Sequence, residues 1–552
     1  MKKIAMVNVF TIVLLIFFCH FTCLAQELIE GNWVGGFKVL EEWTFFKAHF
    51  KVENGVIKGT FDIPLQGEMG LKLERVSFED SRLHFELLRE KETLIFDGIF
   101  KEGRISGDFK QGEQSGTFQL VHIAEVNPKI YEKYIGDYKL SPKKYVSIFK
   151  LVQAAEEGQL SFLDFQSGYF GLLYPLSETT FFSGPSLNVD FPIETEITFV
   201  KDKKGKVREL VLQKSGGQER SAAKVQLYSE EEVTFPNGDV TLAGTLNLPV
   251  IDGPHPAVVF IHGSGAGSRE QLSPIAHFFA QQGFAALSFD KRGCGESTGD
   301  WRRADFDELA ADVLAGVKFL QNHKNINPKE IGLFGISQGG WIAPLAASLS
   351  KDVAFIIAHS GPGVSPAQQE IYRMTSWMPA FGFSEEEVNE VIEAFNLLFD
   401  FVRKGKGGEK LDAAVKKLRK NPKLADSAPP LSYEMKKWED LYQRQRFGDP
   451  GWFLHLDIDF DPVTVYKRVK CPVLIIFGKF DSSIPVEESV KRIEKALKDG
   501  GNQDYTIKVF PNAGHGILEM KGSNLSDFVS PTTVVPGYFE TMAYWLQKRF
   551  SK

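Results

Sequence analysis

The sequence is poor in cysteine, with four in 552 residues. Cys19 and Cys23 fall in an N-terminal stretch that reads as a leader, which leaves Cys294 and Cys471. Two distant thiols make no disulfide framework, so stability has to come from apolar cores, which a chain of this length can build more than once. The Cys and His residues show no metal-ligand spacing. Positive charge is also short: 64 Lys and Arg face 71 Asp and Glu, for a net charge of -7. That balance supplies no basic face and argues against a nucleic-acid partner. With 43% hydrophobic and 24% charged residues, the chain is neither disordered, nor fibrous, nor a multi-pass membrane protein. Its length predicts more than one domain.

The first 25 residues stand apart. Lys2 and Lys3 precede an apolar run over 7–18, and Cys23-Leu24-Ala25 stands before Gln26. A basic start, an apolar middle and small residues before a polar one describe a signal peptide cleaved after Ala25. The rival is an uncleaved anchor, which Asn8 and His20 weaken. The expected destination is the periplasm or the medium.

Residues 26–128 repeat a short device, Gly-x-Phe, at Gly35-Phe37, Gly59-Phe61, Gly98-Phe100, Gly107-Phe109 and Gly116-Phe118. The last three recur every nine residues, a spacing suited to strands joined by tight turns in a barrel or sandwich. A second β-rich module, 129–229, opens on Tyr134-x-Gly136-x-Tyr138 and closes on Gly205-x-Val207-x-x-Leu210-x-Leu212. These two signatures resemble the small β domain often joined to secreted bacterial serine hydrolases. The functional reading of both modules is glycan contact through exposed aromatics. The plainer reading, which we favour, is that the phenylalanines fill β cores.

The rhythm changes at residue 230. Short apolar runs at 257–261, 285–289, 331–334, 353–358 and 473–477 alternate with helical stretches such as 306–323, apolar at Phe306, Leu309, Val313, Val317 and Leu320. Strands apolar throughout and separated by helices predict a mostly parallel sheet covered on both faces, with ligands at the carboxyl ends of its strands. The loops there carry the chemistry. Gly335-Ile336-Ser337-Gln338-Gly339 lies between a strand and a helix, where G-x-S-x-G lifts a serine above the sheet. A serine needs a base, and an imidazole base needs a carboxylate behind it. Asp481 in Gly478-Lys479-Phe480-Asp481 and His515 in Asn512-Ala513-Gly514-His515-Gly516 each follow a strand. His262, His359 and His455 compete for the base, but none follows a late strand in a glycine turn. Asp457, Asp459 and Asp461 precede the strand at 473–477 and so lie at its wrong end. His262-Gly263-Ser264-Gly265 can aim the N–H of Ser264 at an oxyanion, beside that of Gln338.

With these loops and the Asp290-Lys291-Arg292-Gly293-Cys294-Gly295-Glu296-Ser297 stretch, the region 233–549 resembles the α/β-hydrolase-fold serine esterases, EstD-like secreted carboxylesterases in particular. The order Ser337, Asp481, His515 is that family's order. The resemblance implies hydrolysis of small-molecule carboxylic esters through an acyl-enzyme, without a cofactor. It also implies a structural role for 290–297. Gly339-Gly340 looks like the elbow of prolyl-oligopeptidase-type peptidases too, so serine peptidase and thioesterase are the alternative activities. A non-catalytic glycan-binding protein is the alternative class.

Within the catalytic region 230–552, residues 364–465 exceed what the sheet needs and read as a helical cap. Ser384 and Glu387 form a capping box, and Val388, Val391, Ile392, Phe395, Leu398, Phe399 and Val402 mark one apolar face. Met374, Trp377, Met378, Phe381 and Phe383 are expected to be cap core before they are pocket lining. The basic run over 403–423 reads as a solvated helical face.

Overall fold

Alternating apolar and polar residues make the front of the chain antiparallel sheet. The computed structural model describes residues 28–39, 42–64, 68–89, 92–142, 144–150, 159–183, 195–214, 216–421, 423, 457–520 and 533–550. The expected leader, His455 and part of the expected cap lie outside them. Nine strands between Gly31 and Ile123 form one sheet, in which Gly31–Val39 pairs with both Glu42–Glu53 and Gln114–Ile123. Its interior is a phenylalanine cluster. Phe96 is fully buried and stacks on Phe85 at 4.5 Å, with Phe109 and Phe118 at 5.0 and 5.2 Å. The Gly-x-Phe device explains itself here. Residues two apart share a face, and a Cβ on Gly98 would stand 2.7 Å from the Phe118 ring. At Gly98 the glycine leaves room for a ring two strands away in the sheet, whereas a Cβ on Gly35 or Gly107 would stand 1.9 Å from a backbone carbonyl oxygen of the paired strand. Phe37, Phe61, Phe109 and Phe118 are buried in this cluster and Phe100 packs partly buried against it.

Eight further strands, from Gly136–Ser141 to Arg220–Val225, close into a barrel. Tyr134 and Tyr138 of the opening signature are fully buried, and Val207, Leu210 and Leu212 of the closing one are buried too. Tyr134 stacks on Phe199 at 4.1 Å, and the Tyr138 hydroxyl donates to the Tyr134 carbonyl at 2.7 Å. Val34, Phe45 and Val121 of the nine-stranded sheet pack with Leu172, Tyr174 and Phe182 of the barrel. The chain divides near Lys224 into two compact units, with Leu163–Phe170 counted to the second.

The second unit is built on an eight-stranded sheet: β1 (Tyr228–Asn237), β2 (Val240–Pro249), β3 (His255–Ile261), β4 (Ala285–Phe289), β5 (Ile326–Ile336), β6 (Phe355–His359), β7 (Val473–Gly478) and β8 (Tyr505–Phe510). Their spatial order is β1-β2-β4-β3-β5-β6-β7-β8. The six from β3 to β8 are parallel, while β1 and β2 join as an antiparallel pair at one edge. That pair went unread in the sequence, and β5 begins five residues before its apolar run. Asn327, Pro328, Lys329 and Glu330 are too polar to announce a buried strand. The α-helices among its described residues are α1 (Ser273–Gln281), α2 (Phe306–Gln321), α3 (Gly339–Leu349), α4 (Pro366–Thr375), α5 (Glu385–Lys404), α6 (Gly408–Arg419), α7 (Pro462–Tyr466), α8 (Val486–Asp499) and α9 (Tyr538–Phe550).

Helices α4 to α6 have a core of their own, holding Met374, Met378, Phe383, Val391, Phe395, Leu398 and Phe399, with Trp377, Val388 and Val402 partly buried against it. Ile392 stands off that stripe, and Ala394 takes its place. Ser384 caps α5 with the reciprocal Glu387 contact, and Gly405 ends it in left-handed conformation. The basic face is outward and paired: Arg403 with Asp459, Lys404 with Asp400, Lys417 with Glu390. No helix among the described residues is long and apolar enough to cross a membrane.

Candidate active site

Strands β3 and β5 are neighbours whose connections leave in opposite directions, β3 toward β4 and β5 toward β6. Such a switch point opens a crevice at the carboxyl ends of the strands. Register brings those ends level, with Ile261 opposite Gly335, Ile336 opposite His359, His359 opposite Ile476 and Gly478 opposite Phe510.

Ser337 leaves β5 at φ 54°, a left-handed conformation that costs a non-glycine residue roughly 1–3 kcal/mol. The turn is held by Ser337 N–H donating to the His359 carbonyl at 2.9 Å and Gly340 N–H to the Ser337 carbonyl at 2.8 Å. Its glycines are steric necessities. A Cβ on Gly335 would stand 2.0 Å from the Gly339 carbonyl oxygen, and one on Gly339 would stand 2.5 Å from that of Ile261. The β3 turn passes beside the serine, for a Cβ on Gly263 would lie 3.5 Å from Ser337 Cβ. Ser264, next in that turn, is exposed. Gln338 is buried at the N-cap of α3.

Asp481 and His515 come together directly. Asp481 Oδ1 accepts from the N–H groups of Ser483 and Ile484 at 2.8 and 2.9 Å, and Oδ2 meets His515 Nδ1 at 2.8 Å. The carboxylate is wholly buried while the imidazole is about a third exposed. Nδ1 is therefore committed and Nε2 is left for another partner. The two loops are joined by Lys479 N–H to the Phe510 carbonyl and Phe480 N–H to that of Ala513.

Sequence reasoning missed the link between the serine and histidine loops. His359, set aside as a competing base, ends β6 with its carbonyl on Ser337 N–H. Its ring lies between the Tyr538 hydroxyl, 2.9 Å from Nδ1, and the His515 carbonyl, 3.3 Å from Nε2. The carbonyl requires a donor, so Nε2 carries the proton and Nδ1 accepts. Ser360, at φ 49° and fully buried, donates its hydroxyl to the same carbonyl at 2.8 Å. Burial, and then the neighbouring His515, push the His359 pKa down to about 3. Ser360-Gly361-Pro362 after a strand was the available signal for part of this network. Tyr538 had none.

The other competitors have other work. His262 is buried with Nε2 on the Phe289 carbonyl at 2.7 Å, and burial takes its pKa down to about 4. Asp459 pairs with Arg403, and Asp461 caps α7. The 290–297 stretch is a clamp. Asp290 accepts from Arg269 N–H, Nε and Nη2 and from Glu296 N–H, which more than offset its burial and hold its carboxyl below the usual range. Arg292 holds Asp312 through Nε and Nη2. The cap reaches the acid loop through α4, where Gln369, Tyr372 and Ser376 donate to the carbonyls of Ser483, Asp481 and Ser482. Among the described residues no group of His, Cys, Asp and Glu is arranged to hold a metal ion.

Residues 258–522 match the model of the alpha/beta hydrolase family. This part of the chain is an α/β-hydrolase domain. Esterase EstD of Thermotoga maritima is 23% identical over 331 residues, which span 58% of this chain and 68% of EstD. A 31.7 kDa protein of Escherichia coli is 26% identical over 48% of this chain and 85% of its own length. Thiohydrolase aneE of Aspergillus aculeatus is 36% identical over a shorter stretch, 24% of this chain and 41% of its own. Among solved structures, an esterase of Pyrococcus furiosus covers 58% of this chain and 91% of its own, at 19% identity and a TM-score of 0.37. By its sequence likeness to EstD the α/β-hydrolase domain is EstD-like, and it follows a β-rich region.

Proposed function

We propose that the protein is an exported serine carboxylesterase in which Ser337 is the nucleophile, His515 the base and Asp481 the residue that orients it. The observation that carries this reading is the Asp481–His515 contact of 2.8 Å, from a fully buried carboxylate, in the loops beside a strained serine elbow. With Nδ1 donating to Asp481, Nε2 is in the tautomer that accepts a proton. As Ser337 Oγ attacks the ester carbonyl its proton passes to Nε2, and the carbonyl electrons move to oxygen. The N–H groups of Gln338 and Ser264 receive that oxyanion, each such donor lowering the barrier by roughly 3–4 kcal/mol. Collapse expels the alcohol, which takes the proton from His515. Water, deprotonated by His515, then attacks the acyl-enzyme and releases the acid. The EstD likeness supports an ester substrate, and the cap helix α4 on the acid loop supports a specificity role for the cap.

The test is labelling of the purified protein with a fluorophosphonate, location of the adduct by mass spectrometry, and assay on p-nitrophenyl acetate beside an aminoacyl-anilide. Label on Ser337, with ester turnover that Ser337→Ala abolishes, is the expected result. An unlabelled Ser337, or full activity in Ser337→Ala, overturns the reading. Strong preference for the anilide replaces the esterase with a peptidase on the same residues.

A further inference from the structure

Lys291 follows β4 and is almost wholly buried. Its Nζ donates three hydrogen bonds: to the carbonyls of Gly263 and Gly265 at 3.0 and 3.1 Å, and to Gln338 Oε1 at 2.8 Å. An ammonium has three donors and no acceptor, so all three are committed, and the Gln338 amide must present its oxygen. The Trp301 ring lies 5.6 Å from Nζ, a favourable neighbour for a cation. One side chain therefore grips both the β3 turn and the serine elbow.

We infer that Lys291 is the positioning residue of the oxyanion site, holding the N–H groups of Ser264 and Gln338 at a fixed separation. The inference rests on the reading of those two groups as oxyanion donors. The geometry is that of a peptide unit. The Gly263 carbonyl and the Ser264 N–H belong to one trans amide and point in opposite directions. Drawing the carbonyl to Lys291 turns the N–H away from it. The grip on the Gln338 side chain sets the other half of the site against the same point.

The arrangement makes the site sensitive to alkali. Burial pushes the Lys291 ammonium down to about 8. Losing its proton removes one of three donors, and one acceptor is released. The charged groups around it are few. Cys294 lies on its own loop and favours the ammonium, and His262 faces it from the β3 turn. Asp290 is taken by Arg269, and Arg292 by Asp312. Stability runs the other way. The unfolded chain keeps this proton up to about 10.5, so between pH 8 and 10.5 rising pH favours the folded state. An alkaline loss of activity without a loss of melting temperature is the signature.

The experiment measures kcat, KM and melting temperature from pH 6 to 9.5 for the wild type, Lys291→Met, Gln338→Glu and Cys294→Ser. We expect wild-type kcat to fall as pH rises through about 8 with the melting temperature held. Lys291→Met should lose about 100-fold in kcat, with KM within about threefold, and lose the alkaline limb. Gln338→Glu places a carboxylate on the ammonium and should move the limb up by about one unit or more. Cys294→Ser removes a group that favours the ammonium and should move the limb slightly down, opposite to Gln338→Glu. A folded Lys291→Met within threefold of wild-type kcat, or a limb that Gln338→Glu does not move, overturns the inference. Should Lys291→Met fail to fold, Gln338→Glu and the wild-type profile still decide. A wild type that neither labels at Ser337 nor hydrolyses the ester sinks the esterase reading instead, which keeps the two failures separate.

Discussion

Among the described residues of the β-rich unit, the non-glycine residues in left-handed conformation are Asn54, Arg75, Asp80, Ser81 and Glu102, all polar and all exposed. In the hydrolase unit they are Ser337, Ser360 and Ile517, and the last two are fully buried. The same contrast holds for charge. The first unit buries the carboxylates of Glu86 and Asp137, whereas the second buries Arg269 with Asp290, Arg292 with Asp312, and Lys291 among uncharged acceptors. Both units fold by burying apolar faces. Among the described residues, the second unit holds Ser360, Ile517 and buried cations in its interior, whereas the first keeps its left-handed non-glycine residues at the surface. Surface strain serves a turn. Interior strain has to be offset by packing, and it gathers around Ser337, the proposed nucleophile.

The contrast can be broken by substitution, and the largest effect should come from the smallest chemical change. Asp481→Asn keeps shape and removes charge, so ester turnover should fall by about 10⁴ with the melting temperature little moved. Turnover within tenfold of wild type would break the contrast. In the other unit, Phe96→Ala empties the centre of the phenylalanine cluster and should cost about 3–5 kcal/mol in a urea titration. Turnover per folded molecule should stay within twofold, and a parallel loss of kcat would show that the units are not independent.

Acid sharpens the comparison further. His262 and His277 are held to about 4, and His359 to about 3, by burial, against 6.5 in the unfolded chain. Between those values the unfolded state binds protons that the folded state refuses, so stability falls as pH falls from 6.5. The slope is about 1.4 kcal/mol per pH unit for each imidazole. The β-rich unit has no buried imidazole among its described residues. Scanning calorimetry from pH 7 to 4.5 should therefore move the hydrolase transition more than the other, and equal shifts would contradict it. The smallest effect belongs to Ser384→Ala, which removes the α5 cap and should destabilise by about 1 kcal/mol. Loss of ester activity at 25 °C from that change alone would mean the cap is coupled to the serine more tightly than its separate core suggests.

The elbow, the Asp481 turn and the His515 turn were legible because each is local: a glycine-marked loop after a short apolar run. So were the α5 capping box and the Gly-x-Phe pattern, whose periods register in a few residues. The antiparallel β1–β2 edge was not, because its strands carry exposed polar residues and lack the continuous apolar run of their parallel neighbours. His359 could be found as a histidine but not understood. Its ring serves a tyrosine and a backbone carbonyl that sequence distance hides.

The sequence by itself determined which residue types stand at the ends of which strands, since hydrophobic period and glycine placement are properties of neighbours along the chain. Tertiary structure alone decided that Asp481 Oδ2 faces His515 Nδ1, that His359 ties the two loops, and that Lys291 is committed to three uncharged oxygens. These are distances between residues far apart in sequence, set when a twisted parallel sheet brings its strand ends into register. Among the described residues Cys294 and Cys471 are both free thiols, so the register there is maintained by packing.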